Sequence, residues 1–515
     1  MQNKLNLQEN LFGGLTASII ALPLGLAFGV ASGLGPTAGI YGAIILGFFA
    51  SLLGGTPTQI SGPTGPMTVV MASAVVSLHS NINLIVTTII LAGIFQIFFG
   101  IFKLGKFVRY IPYPVISGFM SGIGIIIIIL QINPFLGITS DASILHILFS
   151  LKSNLSHVNS DTIILSTITL AIMLFTPAKI SKLIPTPLIA LFILTPISIY
   201  FNFDVKTIGQ IPSTLPNIII PTLNFENYRM IISLAFTLAV LGMIDTLLTS
   251  IVADSITNTK HKPNKELIGQ GIGNMICGLF GAIPGAGATM RTVINVKSGG
   301  TNRISGIIHS IILLLVVLFL APIASQIPMA ILAGILIKVG IDILDYRFIN
   351  IWKQSPRSDL AVMLVVFFVT VFVDLITAVG LGIVLALFLI VYRITKETKI
   401  TLDGKNNEIK YDFDDDTRVI KIDGAFFFGS SIAFEAEANR ILNTKRFIID
   451  ISNVPFIDIT AIFTLKDLII KLNDQNIKVV IIAKDKDRQQ LLKLNKSGIL
   501  NDVKFYSDIK MIKNK

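Results

Sequence analysis

The feature that most constrains this chain is the recurrence, between Phe12 and Tyr392, of apolar stretches close to the length a helix needs to cross a bilayer. About 20 residues at 1.5 Å per residue match a hydrocarbon core ~30 Å thick. Residues 124–130 and 311–320 carry no charge at all. Lipid offers backbone N–H and C=O groups no water, so such segments have to be helical. Only 14% of the residues are charged, against about 25% in soluble domains, which excludes a soluble enzyme. The net charge of +11 would suggest nucleic acid in a soluble protein; in a membrane protein it reflects Lys and Arg kept on inner loops. The single cysteine, Cys277, excludes an internal disulfide and a Cys-based metal cluster. Residues 11–32 are too long for a signal-peptide core and are followed by similar segments, so they read as the first span.

Apolar length places spans near residues 12–30, 38–53, 64–79, 84–102, 114–132, 162–176 and 185–201. A second set lies near 229–253, 266–282, 288–297, 304–324, 328–344, 358–373 and 375–392. The expected architecture is therefore a polytopic α-helical membrane protein of about fourteen spans. Ile111-Pro112 followed by Gly118 and Gly124 reappears at one constant offset as Ile327-Pro328 followed by Gly334 and Gly340. Residues 62–67 likewise correspond to residues 285–290. The reading is two membrane repeats, 1–205 and 225–395, and a mixed-charge α/β domain, 396–515, with strands near 419–422, 447–451 and 479–482 and helices near 432–442, 460–472 and 488–494.

Loop charge sets the orientation. Lys103, Lys106 and Arg109, Lys179 and Lys182, Lys260, Lys262 and Lys265, Lys297 and Arg303, and Arg347, Lys353 and Arg357 fall on one side if the N-terminus is cytoplasmic. The positive-inside rule then predicts that both termini and the C-terminal domain are cytoplasmic, in a bacterial inner (plasma) membrane.

An odd number of spans per repeat inverts the second repeat relative to the first, so equivalent elements face each other at the midplane. The third and tenth spans are short after a Gly/Pro-rich lead-in, which predicts two half-helices that begin there. Their unsatisfied N–H groups and dipoles point at one place, an anion site. Pro63 and Pro66 suit a helix start, Gly65, Gly285 and Gly287 permit close backbone approach, and Thr64 supplies a hydroxyl.

Asp245 lies mid-span, where a carboxylate costs about 2.5–3.5 kcal/mol or more without a partner. With Thr249 one turn on and carbonyls from residues 285–289, it forms a hard-oxygen set suited to Na⁺; a protonatable Asp alone would serve H⁺ coupling. A static partnership with Arg291 is the alternative. Arg291 itself either adds positive field to the anion site or anchors to lipid phosphate from an inner loop. Asp374 falls at a span boundary, and His309, near a membrane edge with no second His at i+4, reads as packing or interfacial and not as a metal ligand. Residues 269–273 mimic a dinucleotide turn inside a span, residues 285–289 lack the end of a P-loop, and Gly118 to Gly122 reads as a helix-packing face.

Three segments, residues 12–17 with Ala21-Leu22-Pro23, residues 61–67, and Met290-Arg291-Thr292-Val293-Ile294-Asn295, resemble the SulP anion transporters, bacterial relatives of the sulfate/chloride exchangers. The resemblance covers nearly the whole chain, including a C-terminal domain similar to STAS. Residues 244–250 and 284–298 are most similar to the sodium-dependent bicarbonate carriers of that family. The resemblance implies core and gate domains, a homodimer in membrane lipid and no enzymatic cofactor. It also implies an anion held by Thr64, Gly65, Gly287, Ala288 and Arg291, and Na⁺ surrounded by Asp245, Thr249, Gly287 and Thr289. Where STAS domains usually carry a phosphorylatable Ser, this chain has Asp458-Ile459-Thr460, so a dimerisation or scaffold role is expected. The expected function is Na⁺-coupled uptake of bicarbonate. Sulfate or dicarboxylate transport coupled to H⁺, and a passive anion channel or exchanger, are the alternatives.

Overall fold

The computed structural model describes residues 2–138, 144–154, 156, 158–181, 184–209, 216–221, 228–373, 375–402, 416–439, 444–494, 498–501 and 503–512. Asp374, Lys182 and the side chain of Arg109 lie outside the described residues. The chain separates into two compact units, Met1–Ile383 and Val384–Lys515.

A helix occupies every expected span. The first repeat contains α1 (Gln2–Ala31), α2 (Pro36–Leu53), α3 (Gly65–Ser77), α4 (Ile82–Ile101), α5 (Tyr113–Leu130), α6 (Ser160–Phe175) and α7 (Thr186–Tyr200). The second contains α8 (Tyr228–Thr257), α9 (Pro263–Leu279), α10 (Thr289–Lys297), α11 (Arg303–Ala324), α12 (Met329–Ile343), α13 (Arg357–Phe372) and α14 (Leu375–Glu397). Proline marks the starts: Pro36 opens α2, Pro66 sits in the first turn of α3, and Pro112 and Pro328 cap the repeat-related α5 and α12. The first helix begins earlier than its apolar stretch, because Gln2, Lys4, Gln8 and Glu9 are good helix formers and continue the same helix.

Packing divides the membrane unit into two bodies. In the core body α1 to α4 pack with α8 to α11; in the gate body α5, α6 and α7 pack with α12 and α13. Lipid gives helices no hydrophobic reason to associate, so close approach depends on small residues. A Cβ on Gly39 of α2 would stand 2.0 Å from Gly25 O of α1, and one on Gly93 of α4 2.5 Å from Gly271 O of α9. In the gate body Gly118 of α5 meets Met363 O of α13, and Gly122 meets Thr370. The packing role expected for the 118–122 face is therefore observed, and residues 269–273 are plain helix within α9.

In the second unit a five-stranded sheet runs in the order β3 (Lys399–Leu402), β4 (Thr417–Asp423), β5 (Arg446–Asn453), β6 (Lys478–Ile482), β7 (Lys504–Tyr506), with only β3 antiparallel to its neighbour. Helices α15 (Phe428–Ala438), α16 (Ile459–Asp474) and α17 (Asp485–Lys493) accompany it. Strands β4 to β6 are buried on both faces: Ile420, Phe447, Ile449 and Ile481 enter the core with Phe426 and Phe434, while Val419, Ile448, Val480 and Ile482 pack beneath Ile512. Those three strands are the ones apolar sequence predicts. The edge strands β3 and β7 are short and half-exposed, and leave no such run.

Candidate functional site

Both Gly/Pro-rich lead-ins are unwound at the centre of the core body. There β1 (Ser61–Gly62) and β2 (Ala286–Gly287) pair antiparallel, Ser61 opposite Gly287 and Gly62 opposite Ala286, and Ala288 N donates to Ile60 O at 2.8 Å. Each strand turns directly into a short helix, α3 of 13 residues and α10 of 9. At 1.5 Å per residue these span about 20 and 14 Å, short of a ~30 Å core, so both are the half-helices expected. Thr64 and Ala288 are their extended N-cap residues, and neither makes a side-chain capping bond. The first intrahelical bonds, Thr68 N to Thr64 O and Thr292 N to Ala288 O, leave the N–H groups of the opening turns free of helix partners.

Helix α8 lies across these two starts. Thr246 Oγ1 accepts from Gly287 N at 3.0 Å, and Thr249 Oγ1 bonds Gly287 O at 2.9 Å and Thr289 Oγ1 at 2.6 Å. Asp245, one turn before Thr249, is 8% exposed; its carboxylate interacts electrostatically with Thr64 and Arg291. Thr64 Oγ1 and Asp245 Oδ2 are both buried without a well-formed protein hydrogen bond. These two buried polar atoms beside two helix N-termini put a hydroxyl and a carboxylate where a small ion could meet both.

Arg291 is 2% exposed and does not reach a lipid surface, which removes the inner-loop alternative. Its Nη2 donates to Pro63 O, while Nη1 lies beside Gly62, where a Cβ would come within 2.6 Å. The guanidinium therefore supports the lead-in to α3 from below. All eight residues expected at the site, Thr64, Gly65, Asp245, Thr249, Gly287, Ala288, Thr289 and Arg291, gather around these two helix starts. His309 is fully buried on α11 beside Gly47 of α2, one of the two placements expected for it, packing.

Behind these segments stands a layer of polar groups that the sequence pattern alone did not single out. Glu266 of α9 accepts from Gly55 N and Thr56 N at 2.7 Å through one oxygen, and from Gln59 Nε2 and Gln270 Nε2 at 2.9 Å through the other. Gln59 also accepts from Ser250 and presses on Gly287, where a Cβ would be 2.4 Å from its Nε2. Further along α9, Gln270 donates to Ser61 Oγ, and Asn274 bonds both N and O of Gly285. Glu266, Gln270 and Asn274 thus form a polar stripe at i, i+4 and i+8 that fixes the backs of both unwound segments. That spacing in an apolar span is the signal that would have revealed them.

The sequence and the fold both match known proteins. Residues 7–366 match the model of the sulfate permease family, and residues 408–511 match the STAS domain. The chain is 41% identical to the bicarbonate transporter BicA of Picosynechococcus sp. (strain ATCC 27264 / PCC 7002 / PR-6), over 95% of this chain and 91% of that protein. It is 42% identical to the bicarbonate transporter BicA of Synechocystis sp. (strain ATCC 27184 / PCC 6803 / Kazusa), over 98% and 93%. The solved transmembrane domain of a cyanobacterium bicarbonate transporter BicA superposes with a TM-score of 0.69 at 48% identity, covering 73% of this chain and 98% of that one.

Proposed function

The chain belongs to the sulfate permease (SulP) family and carries a STAS domain, and from that premise we propose that it imports bicarbonate coupled to Na⁺. It is a membrane anion transporter and not an enzyme. The observation that carries the finer reading is the convergence of two half-helix N-termini with the unsatisfied Thr64 Oγ1 and Asp245 Oδ2. The anion is held by the N–H of Gly65 and those of the first turn of α10, by the Thr64 hydroxyl and by the positive field of Arg291; Gly287 and Ala288 line the site with backbone whose own N–H groups are already donated to Thr246 and Ile60. Na⁺ takes hard oxygens from Asp245, Thr249, Gly287 and Thr289.

This arrangement explains coupling. An unneutralised Asp245 carboxylate repels an anion at Thr64; a cation beside it removes the repulsion, so Na⁺ raises anion affinity and the anion raises Na⁺ affinity equally. The reading includes a homodimer in the bacterial plasma membrane, with both termini and the STAS domain cytoplasmic, supported by the loop charges. H⁺-coupled sulfate transport is the second reading, favoured by the family's sulfate carriers and by a carboxyl that a proton would neutralise as well as Na⁺.

The test is uptake of labelled bicarbonate and sulfate into proteoliposomes with Na⁺ and pH gradients imposed separately. Bicarbonate accumulation driven by Na⁺ is expected, with Asp245→Asn abolishing the Na⁺ stimulation. Sulfate accumulation driven by H⁺ and indifferent to Na⁺ would overturn the reading.

A further inference from the structure

Gly124 and Gly340, glycines that the internal repeat relates, mark where α5 and α12 cross. A Cβ on Gly124 would stand 2.6 Å from Gly340 O, and one on Gly340 2.8 Å from Gly124 O. The two helices run antiparallel there, since Gln131, beyond the crossing on α5, and Leu336, before it on α12, line one cavity of about 440 Å³. One turn past each glycine stands an isoleucine, Ile127 on α5 and Ile343 on α12. In antiparallel helices these positions lie on opposite sides of the crossing. Each side chain nevertheless leans back towards it, because the Cα–Cβ bond tilts towards the helix N-terminus.

The two tips meet at a single point. A Cβ on Gly65 would lie 2.8 Å from Ile127 Cδ1 and 2.9 Å from Ile343 Cδ1, with Phe28 Cε1 at 4.0 Å. Gly65 is the first residue of α3, so the gate body touches the core body on the turn that carries the free N–H groups. Ile127 is one turn from Gln131 and the first cavity. In the other direction along α5, Phe119 lines a second cavity of about 260 Å³ together with Ile244, the neighbour of Asp245.

We propose that Ile127 and Ile343 are a repeat-related pair of apolar seals over the opening turn of α3, each closing it towards one face of the membrane. The inference rests on the reading of Thr64 and Gly65 as anion-binding. Methyl tips over a turn of free N–H groups exclude water, which strengthens the field those groups exert on a bound anion. Withdrawing one tip hydrates the turn from one face while the other keeps it closed, which is the requirement of alternating access.

The experiment uses the full chain with Cys277→Ser, which removes the only native cysteine, and Thr64→Cys as reporter. A membrane-impermeant anionic thiosulfonate is applied to intact cells and to inverted vesicles. Ile127→Ser should speed labelling at least ten-fold from the face reached through the Gln131 and Leu336 cavity, and Ile343→Ser from the opposite face. Acceleration by both from the same face, or by neither, overturns the proposal. Ile→Val at each position controls for folding and should leave labelling near the parent rate; acceleration by Val equal to that by Ser would mean general loosening and would also overturn it. A failure of the underlying reading shows separately: Thr64→Val with unchanged anion KM, alongside the expected labelling pattern, leaves the seals standing and moves the anion elsewhere.

Discussion

Replacing Glu266 by alanine should damage this transporter more than any substitution in its exposed loops, although Glu266 touches neither proposed ligand. Its carboxylate receives four donors. The side-chain amides of Gln59 and Gln270 can turn away when it is lost; the N–H groups of Gly55 and Thr56 cannot, and each buried donor left unsatisfied costs about 1–3 kcal/mol. With two such donors, Glu266→Ala is therefore expected to cost about 2–6 kcal/mol. Glu266→Gln keeps one oxygen for the two backbone donors. Its new amide can donate to Gln270 Oε1, which has no partner, so about 1–2 kcal/mol is expected. Thermal unfolding in detergent should rank wild type, Glu266→Gln and Glu266→Ala in that order, with several degrees between the last two. The Gln variant, folded but with Gln59 no longer pinned against Gly287, should retain anion binding and require more Na⁺ for half-maximal transport. An alanine variant as stable as wild type, or a Gln variant with unchanged Na⁺ dependence, would refute the reasoning.

Thr64→Val removes one hydroxyl donor at constant shape and should raise the anion KM about ten-fold, the equivalent of ~1.4 kcal/mol, with folding intact; uptake kinetics against bicarbonate concentration measure it. Gly287→Ala forces a methyl onto Gln59, 2.4 Å from Nε2 and 2.7 Å from Cδ, and should abolish transport; adding Gln59→Ala should restore part of it, and no recovery would place the strain elsewhere. In the STAS domain, Asp458 caps α16 by accepting from Ala461 N at 2.8 Å and also accepts from Phe428 N at 3.0 Å, so Asp458→Ala should cost about 1–2 kcal/mol, seen as faster amide exchange at both positions.

The membrane helices were legible because lipid forces length and apolarity into the local sequence: α2 (Pro36–Leu53) and α4 (Ile82–Ile101) end within a residue or two of where their apolar stretches do. The half-helices were legible for a different reason, since a Gly/Pro-rich lead-in marks a helix that starts inside a bilayer. Asp245 stood out as an isolated charge. Arg291 and Glu266 were harder, because what decides their roles is a partner far away in sequence, Pro63 for one and residues 55–59 for the other. Periodicity along one segment can mark a polar stripe such as residues 266, 270 and 274, but not the partner that each member meets.

The two-residue sheet between β1 and β2 sets a length. Paired strands advance about 3.3 Å per residue whatever side chains they carry, and because this pair is antiparallel the two chains leave it at opposite ends, Thr64 beyond Gly62 and Ala288 beyond Gly287. The separation of the two helix starts is therefore set by the number of paired residues, a ruler built into the chain. Substitutions at Thr64 or Ala288 change what lies between the jaws without changing their gauge. Selectivity in this protein can then drift among small oxyanions by side-chain exchange alone, whereas admitting a much larger anion would require the ruler itself to break.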